Sequence, residues 1–151
     1  MLPRQARFGS GPVARSPRDL DRQLYTSLAT RASDLVVAVE RHQAIEILEQ
    51  LVASDLPAFD RAIMCMNIAI IQSQLGNTDE ALATYASAID IERQTEGYFV
   101  AQSRAAYYSE LGMYDESRRS YQDLLLHAQL KPEDRVMFET NIETLGRLAG
   151  N

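Results

Sequence analysis

The side chains able to do chemistry are few, and their spacing argues against a reactive site. His42 and His127 are the only histidines, and neither has a second His or Cys, or a carboxylate pair, at the helical spacing that reads as a metal motif. Two acidic pairs, Asp79 with Glu80 and Asp115 with Glu116, are the type of group that general acid–base catalysis uses. Each pair, however, begins three residues after a glycine, where carboxylates cap free N–H groups and favour the positive end of a helix dipole. That structural role is sufficient. No Gly-rich phosphate loop, nucleophile elbow or dinucleotide fingerprint is present, so no enzyme, no cofactor and no metal are expected.

The elements that would position these residues are helices. From Asp19 onward apolar residues recur at intervals of three and four, as in Leu20, Leu24, Leu28, Ala32 and Leu35, and no alternating strand pattern occurs. The punctuation repeats as well. Leu75-Gly76-Asn77-Thr78-Asp79-Glu80-Ala81-Leu82 recurs 36 residues later as Leu111-Gly112-Met113-Tyr114-Asp115-Glu116-Ser117-Arg118, a period that signals stacked helical pairs. Each glycine falls where a helix must end in a left-handed residue, a conformation that costs roughly 1–2 kcal/mol for a residue with a β-carbon. Small residues and an aromatic follow each bend: Ala81, Tyr85, Ala88 and Ile89, then Ser117, Tyr121, Leu124 and Leu125. Small side chains allow close helix crossing and the ring fills the space beside it.

Composition sets the outer limits. At 151 residues, with 46% hydrophobic and 24% charged residues, the chain has the make-up of one globular domain. No run approaches the roughly 20 apolar residues of a spanning helix, and no apolar segment follows Arg4 and Arg7, so neither a membrane span nor a secretory signal is expected. The single cysteine, Cys65, has no partner for an internal disulfide, which fits a reducing compartment and makes the cytoplasm the default. The net charge of -6 is unevenly placed. Residues 1–18 hold Arg4, Arg7, Arg15 and Arg18 and no acid, and are expected to be a disordered basic tail. The remainder, 19–151, has 11 bases against 21 acids, which speaks against nucleic acid as a partner.

Residues 62–93 resemble a tetratricopeptide repeat through Asn67, Ile68, Ala69, Leu75, Gly76, Asp79, Glu80, Ala81, Tyr85, Ala88 and Ile89. Residues 98–129 resemble it through Ala105, Tyr108, Gly112, Tyr114, Asp115, Glu116, Tyr121 and Leu125, with Ser117 in place of the usual alanine and Arg104 in place of an aliphatic. A degenerate copy at about 25–56 lacks the turn glycine, having Val39 there, so its bend is expected at Glu40, Arg41 or His42. Pro132-Glu133-Asp134 starts a capping helix at about 133–148. The resemblance implies an all-α fold, an antiparallel helix-pair solenoid of about three repeats plus that cap, seven helices in all. It also makes Cys65 a small core residue.

The resemblance implies a concave groove lined by the first helix of each pair. Carried over by position, its residues are Ile63, Met66, Ile70, Ser73 and Gln74 in one repeat and Phe99, Gln102, Ala106, Ser109 and Glu110 in the next, with Asn67 alongside. In the degenerate copy they are Thr26, Ala29, Ser33, Val36 and Val37. Asn67 matches one position of the clamp that some members use on chaperone carboxyl termini, but Thr30, Phe99 and Ser103 stand where other clamp residues are needed, so that clamp is not expected. The wall is largely apolar with few cations, which suits a protein or peptide with apolar anchors. Tyr98, Phe99, Tyr107, Tyr108 and Tyr114 crowd one helix and cannot all point inward, so part of this set is expected at a contact surface. The expected function is that of a scaffold or adaptor binding a partner segment. Its alternatives are a secretion-type chaperone for a hydrophobic client and a self-associating homo-oligomer.

Overall fold

A computed structural model describes residues 19–150, and the basic leader 1–18 lies outside them. Among the described residues there are six α-helices and no strand. The chain divides into two units between Gln43 and Ala44.

The division falls within helix α1, Asp19–Val52, which is the whole described content of the first unit and the entry to the second. The bend expected at Glu40–His42 is not there, so the described residues form six helices where seven are expected. The reason is local. Val39, Glu40, Arg41, His42, Gln43 and Ala44 include no glycine or proline, and nothing in the run stops a helix already under way.

The second unit continues with α2 (Ala58–Gln74), α3 (Thr78–Glu92), α4 (Phe99–Glu110), α5 (Tyr114–Leu124) and α6 (Pro132–Gly150). Helix α2 packs on α3, α4 on α5 and α6 on α5, with smaller contacts from α4 to α3 and α2. Both glycine bends form as the spacing requires. Gly76 and Gly112 have φ of 82° and 77°, and no other described residue has a positive φ. The Asn77 N–H donates to the Gln72 carbonyl (2.9 Å) and the Gly76 N–H to that of Ser73 (3.0 Å). Met113 to Tyr108 and Gly112 to Ser109 repeat the same pair of distances. These are Schellman closures, which satisfy the carbonyls a helix end leaves free. A β-carbon at Gly112 would meet nothing within 4 Å, so only the backbone opposes one. Gly112→Val is therefore expected to cost about 1–2 kcal/mol, read as a lowered midpoint in thermal or urea unfolding.

The acidic pairs start the return helices less directly than their spacing suggests. Asn77 and Met113 are the N-cap residues and make no side-chain capping bond, while Asp79, Glu80, Asp115 and Glu116 sit in the first turns. Their contribution is to the helix dipole, and Asp115 also pairs with Arg118 at 3.2 Å on the surface.

Two clusters form the core of this unit. Ala62, Cys65, Met66, Ala69, Ala81, Tyr85, Ala88, Ile89, Val100 and Tyr107 make the first, and Tyr98, Ala105, Tyr121, Leu124, Phe138 and Leu145 the second. Alanines at the crossings let backbones approach, and the tyrosines fill the adjoining space. Tyr85 stacks at 5.6 Å from Tyr107, and its hydroxyl meets that of Ser103 at 2.9 Å. Ser117, the departure from alanine, is fully buried, and its hydroxyl donates to the Ala105 carbonyl at 2.7 Å, so the extra oxygen is satisfied.

Candidate functional site

The start of α4 is set by a residue of the preceding helix. Glu92 is buried at 6% exposure, and its carboxylate accepts from the N–H groups of Val100 (2.7 Å) and Ala101 (3.1 Å). An anion at a helix N-terminus meets donors that have no intrahelical partner, so this buried acid is fully explained as a cap. It ties the end of α3 to the beginning of α4.

Tyr98 does the same for the next helix. Its ring is buried edge-on to Phe138 at 6.2 Å and beside His127 at 4.9 Å. Its hydroxyl donates to Asp134 and accepts from the Lys131 N–H at 3.1 Å, which fastens the first turn of α6 to the first turn of α4. Burial, and after it the bond to the Asp134 carboxylate, push this phenol above its ordinary value.

With Tyr98 and Val100 both turned into the core, Phe99 faces outward and is 55% exposed. It stands on a cleft of about 370 Å³ lined also by Glu96, Gly97, Tyr98, Gln102, Gln129, Lys131 and Asp134. The cleft lies between the beginnings of α4 and α6. An open aromatic beside a recess with amide, ammonium and carboxylate groups at its edge can seat an apolar side chain and orient the backbone that carries it.

Of the residues expected to line a groove, this cleft brings together Phe99 and Gln102. Ala106 and Glu110 are exposed further along α4, and Ser109 is half-buried, its carbonyl closing the bend at Gly112. On α2, Ile63 and Ile70 are partly buried against the first core cluster, Asn67 is half-buried and Gln74 is exposed. The Ser73 hydroxyl is spent on the Ile70 carbonyl at 2.6 Å. Met66 is a correction. At 6% exposure it belongs to the core with Ala62, Ala69 and Val100 and offers no surface to a partner. Its unbranched thioether fills space that the two alanines leave. In the first unit Thr26, Ser33, Val36 and Val37 are exposed and Ala29 is half-buried.

Nothing in the sequence marks Glu92 or Lys131 for this region, and the bond between Tyr98 and Asp134 is not expected from the aromatic set and the helix start in which they stand. The signal available was the helix start at Pro132, which places Asp134 in the first turn of α6. From the crowded aromatic set, Tyr98 and Tyr107 go inward, Tyr108 and Tyr114 are half-buried, and Phe99 alone is exposed.

Cys65 and His127 have structural roles, and His42 is exposed on α1. Cys65 is buried with its thiol directed at the Thr84 carbonyl (3.6 Å), and burial pushes its pKa up, away from the thiolate. The Nδ1 of His127 accepts from the Gln129 N–H at 3.0 Å. Among the described residues no three His, Cys, Asp or Glu side chains gather as a metal ion needs, and no helix is long and apolar enough to cross a membrane. A second recess of about 330 Å³, between α3, α4 and α5, is lined by Ile89, Arg93, Arg104, Ser120, Asp123 and His127 among others. The Arg104 guanidinium lies 5.7 Å over the Tyr108 ring, which accounts for a cation where the repeat pattern has an aliphatic.

Residues 62–95, which take in most of α2, the bend at Gly76 and the whole of α3, match the family model of the tetratricopeptide repeat. Comparison with curated proteins and with solved structures gives no match.

Proposed function

We propose that this tetratricopeptide-repeat chain, built from a repeat whose family consists of non-catalytic protein-interaction modules, acts as a scaffold or adaptor that holds a segment of a partner protein along the first helices of its pairs. The observation that carries the reading is Phe99, a large aromatic more than half exposed at the mouth of a 370 Å³ cleft. Its neighbours Tyr98 and Val100 are held in the core, so the ring is presented by a rigid helix start and little entropy is lost when a partner covers it. Gln102 and Gln129 offer amide groups, and Lys131 and Asp134 opposite charges, to a partner backbone or polar side chain. The ligand that fits is a peptide segment with one apolar anchor flanked by polar groups. No cofactor enters this role. The cytoplasm is the proposed setting, since the lone cysteine is unpaired and buried.

Phe99→Ala is expected to weaken capture of the native partner by roughly thirtyfold, equivalent to about 2 kcal/mol for a central anchor. Because the ring is outside both core clusters, the melting temperature should stay close to that of the native chain. Titration of the captured partner against both proteins by calorimetry measures this. Equal affinities would place the partner on another face.

A further inference from the structure

The first unit contains one described element, α1, and among the described residues of that unit nothing covers its apolar side chains. Leu24, Leu28, Leu35, Val36 and Val39 are each 50–61% exposed. Leu24, Leu28, Leu35 and Val39, with Ala32 between them, fall within a stripe about 80° wide at 3.6 residues per turn. A helix alone in water is marginal, and what secures one is burial of such a stripe. A contiguous apolar surface of this kind marks an interaction site.

We propose that α1 pairs with α1 of a second copy of the chain, antiparallel, about a two-fold axis close to Ala32. The stripe is self-complementary in that register. Leu24 lies opposite Val39 of the second copy, Leu28 lies opposite Leu35, and the small Ala32 marks the centre where the helices come closest. The edges fit as well. Arg31 and Asp34 border one side of the stripe and Ala29 and Val36 the other. In an antiparallel pair each edge meets its own counterpart, so Arg31 faces Asp34 of the second copy, twice, and Val36 faces Ala29. A parallel pair would set both charged residues against the apolar edge instead. Residues 19–43 hold three arginines and four acids, close to neutrality, whereas 44–151 hold 8 bases and 17 acids, so two copies repel each other least along α1. Covering the exposed stripe on both copies removes on the order of 1,000 Å² from water, the threshold for a specific interface. The pairing does not rest on the proposed groove, because none of its residues belongs to the cleft at Phe99.

Sedimentation velocity of the full chain over a wide range of concentration is the test. The expected species is a dimer that L28E/L35E converts to monomer while the unfolding transition of residues 44–150 is retained. R31D or D34R alone should weaken the dimer roughly tenfold, since two surface ion pairs become repulsive at once, and R31D/D34R together should restore it. Chains carrying Leu24→Cys mixed with chains carrying Val39→Cys should form an interchain disulfide that neither forms alone. A monomer at every concentration, a dimer that survives L28E/L35E, or a charge exchange that fails to restore pairing would overturn the assignment.

Discussion

Phe138→Ala is expected to destabilise the chain by about 3–5 kcal/mol, the range for removing a buried aromatic ring. Phe138 has no exposed surface and stands in the second core cluster with Tyr121 at 5.3 Å and Tyr98 at 6.2 Å. It is the ring through which α6 is seated on α4 and α5. Removing it leaves a cavity between Tyr121 and Tyr98, the latter held in place by its hydroxyl bonds to Asp134 and Lys131. Little collapse is available to fill the space, which places the cost high in its range. Thermal unfolding followed by circular dichroism should show the midpoint lowered on the order of ten degrees, at about 2–4 °C per kcal/mol for a chain of this size. Phe138→Leu, which keeps most of the volume, should lose less than half as much. A Phe138→Ala protein that melts with the native one would mean that α6 is not held by this contact.

Glu92→Ala is expected to cost about 2–4 kcal/mol, because it removes two charge-assisted hydrogen bonds and strands two N–H groups at a buried helix start. The Val100 side chain is wholly buried, so water has poor access to the donors Glu92 leaves behind. The loss should be localised as well as global. Amide exchange at Val100 and Ala101 should accelerate more than exchange in the middle of α2, since the junction between α3 and α4 is what the carboxylate secures. Unchanged exchange at those two amides would show that the carboxylate is not their partner in solution.

The part of this fold legible in the sequence is the part written in local chemistry. Gly76 and Gly112 are required by a left-handed closure, Pro132 by a helix start, and Ala81, Tyr85 and Tyr121 by the crossing of neighbouring helices, and each has the role its type announces. Where the local signal is weak, the expectation and the structure part. The bend expected in residues 25–56 rests on the resemblance alone, across a stretch with no helix breaker, and the chain runs as one helix from Asp19 to Val52.

The candidate site was less legible because it depends on tertiary placement. Met66 and Gln102 occupy the same position in successive repeats, yet the first is core and the second lines a cleft. Periodicity gives the direction a side chain leaves its helix, and neighbouring side-chain sizes decide whether it is covered. Glu92 caps a helix that begins seven residues further on, across a turn, and no local motif marks such a bond. Tyr98 and Asp134 meet across 36 residues for a similar reason.

Photo-crosslinking from position 99 tests the proposed role most directly. A photoreactive phenylalanine analogue at Phe99 should label a bound partner segment strongly, and the same analogue at Gln122, exposed on α5, should label it weakly. Equal labelling from the two positions, or labelling from Gln122 alone, would contradict a partner held at the cleft between α4 and α6.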